Sequence, residues 1–213
     1  MRRERGFTLI ELAIVLVIIG IIIGMVLKGQ DLIQNARMKQ FVSKTRHWET
    51  YMWIYFDRKG KFAGDDDRNG IIADETTSTS DVKTDLLSTN FSNLPDENGN
   101  NTITLGSSTF YVFFGNDGGV GTDPVKNIMV ICVSADCATT FDTNQIQFAE
   151  ALDASFDGTA DGTTGNVICT NTTPSSVSTT TWEAVYTGAT DPTPAACASG
   201  NTVAIVYYFD VKR

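Results

Sequence analysis

The chain has 213 residues, 42% hydrophobic and 19% charged, enough for one core of ordinary size and not for two independent ones. Sixteen Lys and Arg against 25 Asp and Glu give a net charge of -9, which argues against nucleic acid as a primary partner. The single histidine, His47, excludes a multi-histidine metal site and leaves a Ser/His/Asp or Cys/His centre one residue to be built around, so no enzymatic activity is expected.

The averages hide two electrostatic halves: residues 1–75 hold 12 basic and 10 acidic side chains, residues 76–213 hold 4 and 15. Residues 7–27 contain 17 apolar side chains, interrupted only by Thr8, Glu11, Gly20 and Gly24. As a helix rising 1.5 Å per residue this run spans about 31 Å, enough to cross a bilayer once. Arg2, Arg3 and Arg5 precede it and hold that end in the cytoplasm, which sends everything after Lys28 to the far side. A cleaved signal peptide also starts basic and turns apolar, but its apolar core is usually about 7–15 residues long and ends at a small-x-small site. This run is longer, and no such site follows in residues 28–34. An ionised Glu11 at the head of a membrane helix costs about 2–3 kcal/mol unless it snorkels or finds a partner.

The leader Met1-Arg-Arg-Glu-Arg-Gly6, followed by Phe7-Thr-Leu-Ile-Glu11-Leu12, resembles the processing site of type IV pilins and of the pseudopilins of type II secretion systems. The resemblance covers about residues 1–30. It implies a cut between Gly6 and Phe7 by a prepilin peptidase, N-methylation of Phe7 and an assembly role for Glu11. In a helical filament Glu11 would pair with the Phe7 amine of a neighbouring subunit, so that each charge is neutralised only in the correct axial register. Loss of residues 1–6, with three Arg and one Glu, would take the net charge to -11 over 207 residues.

The implied partners are other copies of the chain, related minor pilins, the prepilin peptidase and an inner-membrane assembly platform driven by a cytoplasmic ATPase. The implied location is the inner membrane, crossed once before assembly, then an extracellular pilus or a periplasmic pseudopilus. Gly20 and Gly24 form a small-xxx-small pair that lets helices pack closely, against the plainer reading of two incidental glycines. Many family members carry proline where this chain has Lys28, so no kink is expected there.

From Lys28 to about Asp57 no proline occurs, and the membrane helix is expected to continue as an amphipathic stem over residues 28–60. Ile33, Ala36, Phe41, Trp48, Met52 and Tyr55 recur near helical spacing as its apolar stripe. Residues 28–61 carry 8 basic and 3 acidic side chains, a surface complementary to an acidic head in a filament and an ordinary solvated face in a monomer. The aromatic group Trp48, Tyr51, Trp53, Tyr55 and Phe56 reads as core and subunit contact rather than as a base-stacking platform.

In the stretch Gly64–Glu75, Asp65, Asp67 and Asn69 alternate and precede Gly70, which resembles the opening of an EF-hand calcium loop. The closing Glu of that pattern would fall on Thr76, so the calcium reading needs a shorter loop closed by Asp74 or Glu75. A solvated acidic turn is the other reading, and no other cofactor is expected. Thr102–Leu105, Phe110–Phe114, Asn127–Val133, Trp182–Thr187 and Thr202–Phe209 read as strands. Asp142 or Thr143 caps a helix with the apolar face Ile146, Ala149, Leu152 and Phe156, ending at Asp157-Gly158. The glycine-rich runs 115–121 and 157–165 lack the Lys-Ser/Thr that closes a phosphate loop and read as turns.

The expected fold is therefore α+β and pilin-like: leader 1–6, membrane or filament-core helix 7–27, stem 28–60, and a β-rich head 61–213 against which the stem packs. Cys132, Cys137, Cys169 and Cys197 allow three full pairings on the oxidising side of a membrane. Cys132–Cys137, closing a tight turn after a strand, and Cys169–Cys197, clipping a Ser/Thr-rich loop, are favoured over a zinc site that lacks C-x-x-C knuckles. The second bridge resembles the disulfide-bounded region near the C-terminus of many pilins. The functional expectation is a filament subunit. A membrane-anchored monomeric calcium-dependent binding module is the rival, and a periplasmic enzyme would need a close carboxylate pair facing a pocket.

Overall fold

The long helix α1 runs from Leu9 to Lys59, 51 residues without a proline. It stops where Gly60 takes a left-handed φ of 68° and donates its N–H to the Phe56 carbonyl at 2.7 Å. The computed structural model describes residues 8–75, 81–88, 99–119, 123–187 and 191–210. They fall into two compact units, Met1–Arg37 and Met38–Arg213. The first consists of the N-terminal part of α1.

In the second unit the rest of α1 is followed by α2 (Val82–Leu87), β1 (Thr102–Leu105), β2 (Ser108–Asn116), β3 (Asn127–Cys132), α3 (Ile146–Asp157), β4 (Val167–Thr170), β5 (Ser176–Ser178), β6 (Glu183–Val185), β7 (Pro194–Ala195) and β8 (Ala204–Tyr207). The eight strands form one sheet in the order β5-β6-β2-β3-β8-β4-β7, with β1 also paired to β2. The pairings are antiparallel except where β6 meets β2 at Phe114 and Glu183. That approach is close: a Cβ on Gly115 would stand 1.8 Å from the Ala184 carbonyl oxygen, which demands glycine there.

A long helix packed on a mostly antiparallel sheet is the α+β, pilin-like arrangement expected from the sequence. The central strands are apolar on both faces because both faces are covered. Phe110, Val112, Phe114, Met129, Ile131, Ile205 and Tyr207 share one cluster with Phe41, Trp48 and Met52 of α1 and Phe148 and Leu152 of α3. Phe41 and Phe148 both contact the Phe110 ring, at centroid distances of 4.7 and 5.2 Å. The alternate residues Phe113, Ile128, Val130, Val206 and Tyr208 form a second cluster with Ile168, Ala184 and Tyr186. Arg46 ties α1 to α3, lying over the Phe156 ring and donating to the Ser155 carbonyl.

Several boundaries differ from the sequence expectation. The buried stripe of α1 is Phe41, Thr45, Trp48, Tyr51, Met52 and Tyr55; Ile33 and Ala36 are exposed. Helical spacing marks an apolar face but not how far its partner reaches. Thr45 holds a place in the stripe by donating its hydroxyl to the Phe41 carbonyl at 3.1 Å. The strand expected over Trp182–Thr187 contracts to three residues, since Trp182 takes a φ of 63°, and the one over Thr202–Phe209 contracts to four. Strands β4, β5 and β7 and the six-residue α2 were not expected.

Candidate functional site

In the first unit every side chain from Thr8 to Lys28 is exposed, Leu9 by 89%. So continuous an apolar surface is not stable in water and needs lipid or another protein against it. The helix begins with a reciprocal cap: the Thr8 N–H and hydroxyl both donate to Glu11 Oε2, at 2.8 and 2.9 Å, and the Glu11 N–H donates back to Thr8 Oγ1. A Cβ on Gly20 or Gly24 would meet nothing within 4 Å, so packing inside the chain does not call for glycine at either position.

The second unit brings together three of the five acidic-loop residues. Carboxylate oxygens of Asp65, Asp67 and Glu75 all lie within 4.8 Å of one another. Asp65 is 1% exposed, and burial pushes its carboxyl above the usual range against the pull of the Gly70 N–H, which donates to Oδ2 at 3.1 Å. Its Oδ1 is buried without a hydrogen-bond partner among the described residues. Glu75 repeats the pattern: Oε1 accepts from the Asp66 and Asp67 N–H groups at 2.6 and 3.0 Å, and Oε2 is buried without a partner among the described residues. Asp67 is exposed and holds Asn69 through its backbone and side-chain nitrogens. Asp74 stands outside the group; its Oδ2 accepts from the Asn69 amide at 2.7 Å, while Asn69 Oδ1 accepts from the Ile71 N–H.

The loop is fixed to the end of the sheet. Asn116 and Asn127 face one another in the last rung of β2 and β3. Asn127 accepts the Ile72 N–H and donates to the Gly70 carbonyl and Asp210, while Asn116 donates to the Ile72 carbonyl. Ile72 is fully buried, and the Ala73 N–H returns to the Gly64 carbonyl. Arg68 and Ala73 take left-handed φ values of 63° and 56°, a backbone that L residues adopt only when their surroundings hold it. Long-range anchors of this kind leave no trace in local spacing.

Residues 1–27 match the prokaryotic N-terminal methylation motif. The chain carries the type IV pilin and pseudopilin signature. No curated protein and no solved structure matches the chain. The signature is that of structural subunits, generally without enzymatic activity, and it implies self-assembly and prepilin peptidase processing. The apolar helix near the chain start fits membrane anchoring of a prepilin.

Of the signature residues, Glu11 heads α1, while Gly6 and Phe7 lie outside the described residues. In the head the structure joins Cys132 to Cys137 and Cys169 to Cys197, and no cysteine is left free. Asp157 and Asp161, in the second glycine-rich run, serve as turn caps. Asp157 accepts from the Asn166 and Val167 N–H groups, and Asp161 is pulled down to about 2 by donors from Thr163 and Thr164. Neither Asp142 nor Thr143 caps α3: the cap position is Gln145, without a side-chain bond, and Asp142 Oδ1 accepts from the Asn144 and Gln145 N–H groups in the turn before the helix.

Proposed function

We infer that the chain is a prepilin, cut between Gly6 and Phe7, methylated on Phe7 and polymerised through α1 into a type IV pilus or a type II secretion-type pseudopilus. One observation carries this reading: the methylation motif sits at the head of an apolar helix whose whole circumference is exposed in the single chain. A helix apolar on all sides needs lipid first and neighbouring helices afterwards. Gly20 and Gly24 offer close approach to a neighbour, and Glu11 offers a register charge for the Phe7 amine. The partners are further copies, related minor pilins, the prepilin peptidase and an inner-membrane assembly platform.

The rival, a membrane-anchored monomeric calcium-dependent binding module, is favoured by one feature, the acidic group of the head. The two readings part on the N-terminus. Coexpression with a prepilin peptidase, followed by mass spectrometry of the membrane and sheared extracellular fractions, should find the chain starting at a methylated Phe7. An intact residue 1–6 segment on a chain that stays monomeric would overturn the filament reading.

A further inference from the structure

We propose that the loop Gly64–Glu75 binds one hard divalent cation, calcium by size and donor type, through Asp65, Asp67 and Glu75. Two of the three carboxylates are arranged alike. One oxygen is held by backbone N–H groups, Gly70 for Asp65 and Asp66 with Asp67 for Glu75. The other oxygen is buried and has no donor among the described residues. The backbone bonds therefore fix the orientation of each carboxylate while leaving its second oxygen unsatisfied.

A buried acceptor that carries charge and has no donor is costly, and native structures seldom keep one without compensation. Here two residues with such an oxygen, Asp65 and Glu75, each bring a carboxylate oxygen within 4.8 Å of the other's and of the exposed Asp67's. Basic side chains do not supply the compensation. Among the described residues no ion pair reaches Asp65, Asp67 or Glu75, and the nearby Lys61 is engaged by Asp66 and Asp85, at 3.3 and 3.5 Å.

The donor set selects the ion. Three carboxylates with no sulfur or imidazole suit a hard cation rather than zinc or copper. Calcium accepts six to eight oxygens at about 2.3–2.6 Å in irregular arrangements, whereas magnesium demands a near-ideal octahedron at about 2.0–2.1 Å. A turn that offers three carboxylates and an open side for water at Asp67 meets the looser requirement. The bound ion would close the exit of α1 onto the rung Asn116–Asn127 through the buried Ile72.

The site is independent of the filament reading, and its test needs no filament. The full chain in detergent, stripped with chelator, is titrated with calcium chloride and in parallel with magnesium chloride, and unfolding is followed thermally. Calcium should raise the melting temperature saturably, on the order of 5–10 °C at a hundredfold excess over the dissociation constant. Glu75→Gln and Asp67→Asn should each remove most of that rise. Asp67 is exposed and its replacement keeps an acceptor for the Asn69 N–H, so this variant folds even if the first does not. No calcium-dependent rise in the wild-type chain, an equal rise in Asp67→Asn, or a magnesium response as large as calcium's would each overturn the assignment.

Discussion

Thr8 and Glu11 satisfy one another at the head of α1, with the Thr8 N–H 2.8 Å from Glu11 Oε2 and the Glu11 N–H returning to Thr8 Oγ1 at 3.3 Å. The cap needs only an acceptor at Glu11, whereas pairing with the terminal amine of a neighbour needs its charge. Glutamine separates the two roles. Glu11→Gln keeps the acceptor and should be processed normally, yet filament yield should fall roughly tenfold or more, the change that a loss of about 1.4 kcal/mol brings to an equilibrium. Glu11→Ala should lose the cap as well, a further cost of about 1 kcal/mol at the helix start. Counting sheared filaments from the three strains checks this, and normal yield from Glu11→Gln would sink the charge-pairing idea.

Asn127 holds the acidic loop by two side-chain bonds, to the Ile72 N–H and the Gly70 carbonyl, and donates a third to Asp210 outside it. Asn127→Ala leaves a buried backbone donor and a partly buried carbonyl without partners, a cost of about 2–4 kcal/mol. In a chain of this size that lowers the melting temperature by about 5–10 °C. Melting the full chain in chelator keeps any cation out of the comparison. A variant that melts within a degree of the wild type would show that the rung does not hold the loop.

The sequence made the parts with long periodic patterns legible. The apolar run set the start of α1, the absence of proline carried it to Lys59, and Ile146, Ala149, Leu152 and Phe156 marked α3 up to its Gly158 stop. Strand β1 lies where β-branched residues placed it, over Thr102–Leu105. What escaped was short or long-range. The four residues of β4 sit between a turn-rich run and a Ser/Thr tract, and β7 is the dipeptide Pro194–Ala195, so both exist only because neighbouring strands pair with them.

The acidic loop was legible as an alternation of Asp65, Asp67 and Asn69, but spacing could not tell which acid closes it. The fold decides by folding Glu75 back under the Asp66 and Asp67 N–H groups and turning Asp74 toward Asn69. Asn116, Asn127 and Ile72 were invisible as supports, because their link spans 44 to 55 residues of sequence.

Asp153, on the buried side of α3, gives the head a dependence on pH. Its side chain is fully buried; Oδ2 accepts the Gly162 N–H at 2.7 Å and Oδ1 has no hydrogen-bond partner among the described residues. The carboxyl cannot easily swing out, because the loop above it is tight: a Cβ on Gly162 would stand 2.5 Å from Cys197 Sγ. Burial first, then the charges of Asp157 and Asp161, push Asp153 from 3.8 up to about 6. A carboxyl raised on folding keeps its proton in the folded chain over that interval while the unfolded chain has lost it. The folded state then binds more protons, and stability falls as pH rises from about 4 to about 6. Asp153→Asn fixes the neutral form and keeps an acceptor for Gly162. The variant's melting temperature minus the wild type's should therefore grow by several degrees between about pH 4 and pH 7, on the order of 2–4 °C for each kcal/mol of charge burial relieved. A difference that stays constant across that range would assign the proton elsewhere.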